Sequence, residues 1–407
     1  MNRLKSLIHR HLQKIHSRIF GYRIIYSLGF LYSKLLHVLS FQNFKPPYKY
    51  SKILIIYSKY HFDPDYDTLS RPLAFNSAAN LARNIYRTFS GYEVIYRDQH
   101  EPLLDIYDFD IIFGILSKSF LEHCKRNPNA RRILFLVNCH PLFRIKVLAK
   151  EALENNVNIP TREYVSPFLP LRCMQAAQSL LLIGNKTVED TYRTYGTFNK
   201  KIQLMNSGVN TEFLFPQDSL LSQEKISVLF CATDLGLRKG ILRLISLWNQ
   251  INETNIRDKV ELVVMGQNID FQEEVQKFLK INKNVVYKGW IDSTTEEYRK
   301  TLQSSHIVLG LSLEEGQVGT ILEAMSTGAI PIITKECGIP ISQEDGYLLE
   351  RFDIKEIISI IQDLIKNSGN IYRMRINSRN YIIKNHTWKI FSQAMEEIVL
   401  CKRQYSK

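Results

Sequence analysis

The sequence predicts an α/β protein made of two doubly wound domains. Three observations carry this expectation. Short apolar runs rich in β-branched residues recur from residue 52 onward. Stretches with helical spacing separate most of them. The runs are also too numerous for one comfortable sheet in one domain.

In chain order the runs are KILIIYS (52–58), DIIFGIL (110–116), RILFLVN (132–138), SLLLIG (179–184), ISVLFCA (226–232), VELVVMG (260–266), NVVYKGW (284–290), IVLGLS (307–312) and AIPIIT (329–334). Strands that are apolar at consecutive positions are buried on both faces, as in a parallel sheet covered by helices. The helical stretches between them are 74–89, 187–195, 240–252, 270–280, 294–304 and 353–366. A boundary between two domains falls in LMNSGVNTEFLFPQDSLLSQEK (204–225). No repeat of short period and no low-complexity tract appears.

The chain has 407 residues, 45% of them hydrophobic and 23% charged, which suits a soluble globular protein with a large core. Its net charge of +13 is concentrated at one end. Residues 1–62 hold 11 Lys or Arg and no Asp or Glu, which leaves 42 basic against 40 acidic residues in the remainder. A local excess of this kind argues against a broad nucleic-acid groove, and no nucleic-acid partner is expected. Cys124, Cys139, Cys173, Cys231, Cys337 and Cys401 are scattered, with no C-x-x-C pair, so reduced thiols are expected rather than a zinc site or a disulfide framework.

At the basic end, Leu4, Leu7, Ile8, Leu12, Ile15 and Ile19 form a helical stripe, and Arg3, Lys5, Arg10, Lys14 and Arg18 fall mostly off it. Such a helix fits peripheral contact of residues 1–44 with an anionic membrane surface. The alternative is an ordinary helix packed on its own protein. Residues 24–39 are more apolar, but they are shorter than the ~20 residues a span needs, and Lys34 interrupts them. No small-residue cleavage site follows, so a signal peptide is not expected.

Ligands of doubly wound sheets bind beyond the carboxyl ends of the strands. The segments that follow the runs are therefore informative: Cys139-His140-Pro141, Asn185-Lys186, DLGLRKG (234–240), Gly289-Trp290-Ile291 and EEGQVGTILEAMSTG (314–328). In the last of these, Gly319 permits close backbone approach, and Thr320 to Thr327 reads as a short helix closed by Gly328. The start of such a helix attracts an anion. Glu315 and Glu323 stand on either side, and carboxylates accept hydrogen bonds from the hydroxyls of a ribose or hexose. A nucleotide sugar, with a diphosphate between two hydroxyl-rich rings, matches that pattern. The plain alternative is that Glu323 merely favours its helix and Glu315 is solvated. Arg238-Lys239-Gly240 adds two adjacent cations on a strand–helix loop, suited to a diphosphate leaving group.

These segments, taken together and in order, resemble the group 1 retaining glycosyltransferases (glycosyltransferase family 4), which have the GT-B fold. MNSGVNTEFLFP (205–216) is similar to the family's interdomain stretch and DLGLRKG to its basic loop. VELVVMG and VVYKGW are similar to the paired strands that follow. EEGQVGTILEAMSTGAIPIIT carries the E-x7-E motif, Glu315 to Glu323, and NSRNYIIKNHTWKIFSQAMEEI (377–398) resembles the closing helices. The resemblance runs from about residue 180 to the end.

It implies two Rossmann-like domains facing across a cleft, with an N-terminal helical extension. The extension would span 1–50, the acceptor-side domain 51–205 and the donor-side domain 206–385, with a C-terminal helix at 386–407 returning to the first domain. It further implies that Glu315 binds donor-sugar hydroxyls and that Gln317, Val318, Gly319 and Thr320 line the sugar and diphosphate. Glu323 would bind the ribose, Arg238 and Lys239 the diphosphate, and the backbone near Trp290 and Ile291 the base. His140 would sit near the transferred sugar, although a lone histidine is more often structural.

The chain departs from the family in two places. The loop YSKYHFDPDYDTLSRPLAF (57–75) lacks the usual glycines, and Thr233-Asp234 stands where glycine-arginine is usual, with Arg238 as the substitute. Asp63/Asp65 and Asp108/Asp110 form D-x-D patterns that read as chance, because the family generally needs no such metal motif. The expectation is a metal-independent hexosyltransferase without a cofactor, peripheral on the cytoplasmic face of a membrane. It would move sugar from a nucleotide-sugar donor to a glycan or lipid-linked acceptor in cell-surface polysaccharide, lipopolysaccharide or glycolipid synthesis. The rivals are a noncatalytic GT-B subunit that binds a nucleotide or glycan, and a GT-B sugar epimerase.

Overall fold

The computed structural model describes residues 28, 52–57, 77–105, 108–163, 166–195, 200–217, 225–267 and 270–400. The expected basic extension (apart from Leu28), the glycine-poor loop beyond Tyr57, Asp63, Asp65 and Cys401 lie outside the described residues. Among the described residues no helix is long and apolar enough to cross a membrane.

The chain divides into two compact units, residues 1–205 with 389–407, and residues 206–388. In the first unit the order is β1 (Lys52–Tyr57), α1 (Ser77–Phe89), β2 (Glu93–Asp98), β3 (Ile111–Gly114), α2 (Lys118–Arg126), β4 (Arg131–Leu136), α3 (Pro141–Glu154), α4 (Phe168–Ala176), β5 (Ser179–Ile183), α5 (Lys186–Thr194) and β6 (Lys201–Met205). All six strands are parallel, in the order β2-β1-β3-β4-β5-β6. The central strands are continuous apolar runs because helices cover both of their faces, and Ile53–Ile56 are fully buried.

The second unit comprises β7 (Ile226–Asp234), α6 (Ile241–Ile251), β8 (Val260–Gln267), α7 (Gln272–Ile281), β9 (Val285–Gly289), α8 (Glu296–Gln303), β10 (Ile307–Gly310), α9 (Gly319–Ser326), β11 (Ile330–Thr334), β12 (Tyr347–Leu349), α10 (Ile354–Lys366) and α11 (Ser368–Asn385). Its parallel sheet runs β12-β11-β10-β7-β8-β9. Read from β9, this is the strand order 3-2-1-4-5-6 of a doubly wound dinucleotide-type sheet. The direction of winding reverses between β7 and β10. The loops after those two strands therefore diverge to opposite faces and leave a crevice at their carboxyl ends.

Three strands, β2, β6 and β12, lie outside the runs found in the sequence. All three are sheet edges, and β2 (EVIYRD) and β6 (KIQLM) carry charged or polar residues along much of their length. Edge strands face solvent on one side and so lack the continuous apolar signature.

The last helix, α12 (Trp388–Leu400), begins in the second unit and continues into the first. Arg131 of β4, itself buried, donates to the carbonyls of Ile398 (2.9 Å) and Val399. A cation thus satisfies the final carbonyls of the helix, where the dipole favours positive charge. Tyr92 donates to Glu396 and fixes the same helix one turn earlier.

Candidate active site

The site forms at the switch point of the second unit, from the loops after β7 and β10. After β7, the amide of Lys239 donates to Gly236 O (3.2 Å) and that of Gly240 to Leu237 O (3.0 Å), which folds DLGLRKG into a tight turn. Gly240 has φ +85°, and a Cβ there would stand 2.3 Å from Leu311 O, so only glycine lets the two loops meet. They are stitched by Leu313 N to Arg238 O at 2.9 Å. The β10 loop is pressed from its other side by Gly338, whose φ is +74° and whose Cβ would overlap Gly316 O.

This geometry brings three of the expected residues together. Arg238 and Lys239 both donate to the same oxygen, Oε1 of Glu315. Glu315 is 5% exposed, and the neighbouring Glu314 has no exposure and lies 4.0 Å from Arg238 Nε. Two carboxylates and two cations therefore share a nearly dry corner, where electrostatic interactions are strong.

Helix α9 begins beside this cluster. Its N-cap is Val318, which offers no side-chain acceptor. The amides of Ile321 and Leu322 return to Val318 O, whereas those of Gly319 and Thr320 meet no protein acceptor among the described residues. Two N–H groups and the positive end of the helix dipole remain available to an anion. Thr320 itself is anchored, its hydroxyl donating to Cys231 O of β7 at 2.8 Å. The other end of α9 is held by arginines of α11. Arg379 donates to Ser326 O (2.7 Å) and Leu214 O (2.7 Å), and Arg375 to Thr327 O (3.5 Å) and Ser305 O (2.7 Å). Cations at a helix C-terminus complete its carbonyls and complement its dipole.

Glu323 projects from the second turn of α9 and is half-buried. It accepts a hydrogen bond from Tyr298 of α8. Burial pushes its carboxyl up to about 7, and the tyrosine hydroxyl pulls it the other way without overcoming that effect. Tyr298 gave no sequence signal, because in its helix it reads as an ordinary core position; it is 4% exposed.

The remaining expected residues have varied settings. Gln317 holds the first residues of the second unit, its amide accepting from Ser207 N (2.8 Å) and donating to Asn206 Oδ1 (2.8 Å). Its side chain is thereby committed to the first residues of the second unit. Val318 packs into the core with Leu229, Val308 and Ile333. Trp290, just after β9, is 59% exposed, while Ile291 packs against the core. His140 belongs to the first unit and is wholly buried. It caps α3, with Nδ1 accepting from Leu142 N (3.2 Å), and stacks on Tyr195 with ring centroids 5.3 Å apart. Burial pulls its imidazole down to about 3. Asp110 accepts from the amide of Lys52 at 3.0 Å, a strand-end contact. Among the described residues no group of three or more His, Cys, Asp or Glu is arranged to hold a metal ion.

Two parallel six-stranded sheets with flanking helices make this the GT-B fold. Residues 226–367, within the second unit, match the family described as Glycosyl transferases group 1. Several solved structures share the architecture. Sucrose-phosphate synthase from Thermosynechococcus elongatus aligns over 86% of this chain and 98% of its own, with TM-score 0.61 and 15% identity. HepE from Anabaena, solved in complex with UDP, aligns over 85% and 99%, with TM-score 0.60 and 12% identity. WaaG, a glycosyltransferase involved in lipopolysaccharide biosynthesis, aligns over 85% and 99%, with TM-score 0.56 and 14% identity. No curated protein sequence gives a significant match.

Proposed function

We propose that this chain is a retaining glycosyltransferase that moves a hexose-type sugar from a nucleotide-sugar donor to a glycan or lipid-linked acceptor. The observation that carries the proposal is the convergence of Arg238, Lys239, Glu315 and the two free amides of α9 at the switch point of the second sheet. The amides and the two cations suit the diphosphate, Glu315 the sugar hydroxyls, and Glu323 the ribose.

In the reaction, the bond between the anomeric carbon and the diphosphate oxygen breaks while the acceptor oxygen bonds to that carbon on the same face. The acceptor proton passes to the departing phosphate. The chain's part is to position the donor and to stabilise the charge that grows on the diphosphate. Arg238 and Lys239 supply the positive charge that offsets it, without a metal. Work at a membrane face in cell-surface polysaccharide or glycolipid synthesis is the setting we favour. The solved structures of HepE with UDP and of WaaG support a nucleotide donor and a surface-glycan setting respectively.

A panel of nucleotide sugars, screened by thermal shift and then by transfer in the presence of EDTA, tests the proposal. One donor should raise the melting temperature, since a ligand in excess of its Kd stabilises the folded state. The product should keep the donor's anomeric configuration. Inversion, or activity that chelation abolishes and manganese restores, would overturn the corresponding part of the reading.

A further inference from the structure

The two carboxylate oxygens of Glu323 have different surroundings. Oε2 accepts from the phenol of Tyr298, while Oε1 takes no hydrogen bond among the described residues. The phenol itself has little freedom. Tyr298 lies in the first turn of α8, where its amide donates to the hydroxyl of Thr295 at 3.2 Å. Its ring belongs to the buried cluster that includes Cys231, Leu302 and Ile321. A buried phenol needs an acceptor, and Glu323 is that acceptor.

Position along α9 sets where the free oxygen stands. Residues three and four apart share a helix face, and helical side chains lean toward the N-terminus. Glu323 therefore lies over Gly319 and Thr320, whose amides are left for an anion. The Thr320 hydroxyl donates to Cys231 O at 2.8 Å, so β7, α8 and α9 all fix this turn.

We propose that Tyr298 is a positioning residue for the nucleotide: by holding one oxygen of Glu323, it fixes the carboxylate over the free amides of α9 and presents the other oxygen to a ribose hydroxyl. This deepens the nucleotide-sugar reading and rests on it. A loose glutamate side chain samples several rotamers and loses that freedom when it binds. One already held by a phenol has lost it beforehand, and a preorganised acceptor binds more tightly. The phenol also donates to the charged form of the carboxylate, which is the form that ribose hydroxyls bind best. Tyr298 acts through Glu323 and touches no substrate.

The groups around this carboxylate are few. Tyr298 faces it from α8 and Cys231 from β7, with Lys239 beyond the thiol. Strands β10 and β11 bring no titratable side chain. Helix α11 brings Arg375 and Arg379, both bound to carbonyls at the opposite end of α9.

The experiment is a calorimetric titration of the full chain with UDP, ADP and GDP, and with the dideoxyribose form of whichever binds. Tyr298→Phe keeps the ring and removes the hydroxyl. It should weaken the ribonucleotide roughly five-fold at pH 8, as when one more side chain must be ordered on binding, and leave the dideoxy nucleotide unchanged. The loss should grow toward pH 7, because the phenol pulls the carboxyl down and its removal lets burial raise it further. The dideoxy nucleotide carries the same titrating phosphate, so the difference between the two nucleotides isolates the carboxyl. Glu323→Ala supplies a second background. Without the carboxylate, Tyr298→Phe should cost no further affinity, so the two losses do not add. Circular dichroism melts establish that each variant is folded. If Tyr298 only packs the core, its loss is the same with and without Glu323 and the same for both nucleotides. That result, or unchanged ribonucleotide affinity in the folded Tyr298→Phe variant, overturns the positioning role. Failure of the nucleotide reading would appear separately, as a wild type that binds none of the three nucleotides or binds the ribose and dideoxyribose forms alike.

Discussion

Two strand–loop–helix junctions, one in each unit, face the same physical problem and solve it differently. At the start of α3 the first helical residue is Pro141, which has no N–H to satisfy, and His140 turns its imidazole back to accept from Leu142 N. The ring lies buried between Tyr192 and Tyr195. That helix start is closed by its own sequence. At the start of α9 there is no side-chain cap, and the amides of Gly319 and Thr320 are left over beside Arg238 and Lys239. Helices α2, α5 and α8 follow the first pattern, capped by Ser117, Asn185 and Thr295. A capped helix has spent its binding capacity on itself; an uncapped one beside fixed charges has kept it for a ligand.

The largest effect expected from this contrast is on the cations. Lys239→Ala should lower kcat about 100-fold, in the range lost when one preorganised charge-stabilising donor is removed, and Arg238→Ala should act alike. Binding of the free nucleoside, which has no diphosphate, should change little in either. Equal losses in nucleoside binding and kcat would mean that the two residues merely support the loop.

Glu323 sharpens the comparison through pH. With its carboxyl raised to about 7 by burial, it loses charge as the pH falls through 7. A charged acceptor binds ribose hydroxyls more strongly than a neutral one, by ~1.5–3 kcal/mol against ~0.5–1.5 kcal/mol for an ordinary hydrogen bond. Nucleotide affinity should therefore fall between pH 8 and pH 6, and Glu323→Gln should be about ten-fold weaker at pH 8 with that dependence gone. Stability runs the other way. The folded protein holds this proton more tightly than the unfolded chain, so the stabilisation is complete below about pH 4.5 and is lost as the pH rises through 7. Nucleotide titration from pH 8 to pH 6 reads the first effect, and melting of the unliganded protein and of the Gln variant between pH 4.5 and pH 8 reads the second. Affinity that stays level from pH 8 to pH 6 in the wild type would remove Glu323 from the nucleotide site.

The smallest effect belongs to the closed junction. His140→Ala should cost about 1 kcal/mol for the lost cap, plus a further cost for the cavity left by the imidazole, read as a lower melting temperature. Because its imidazole is pulled down to about 3, it stays neutral throughout the working range and should place no limb on the pH–rate profile. A limb near neutrality that His140→Asn abolishes would show the residue taking part in chemistry.

Much of the second unit was legible because its signals are physical necessities. Buried parallel strands must be apolar along nearly all their length, and VELVVMG, IVLGLS and AIPIIT are. The tight loop after β7 needs glycine at Gly240, and the end of α9 needs it at Gly328, both at positive φ. Edge strands β2 and β6 were not legible, because exposure removes the apolar run that marks a strand, and β12 (Tyr347–Leu349) is only three residues long. Side-chain direction was hidden too. Gln317 and Val318 belong to the recognised motif, yet one side chain is tied to Asn206 and Ser207 and the other lies in the core. The Tyr298–Glu323 contact joins residues 25 positions apart through packing of α8 beside α9, which no local pattern encodes.

The measurement closest to the central claim is release of nucleoside diphosphate from a panel of nucleotide sugars, in excess EDTA, by the wild type and by Lys239→Ala. The wild type should release diphosphate from one donor far faster than from the rest, and the variant should do so about 100-fold more slowly. No release from any donor by the wild type, or equal rates in the two proteins, would contradict it.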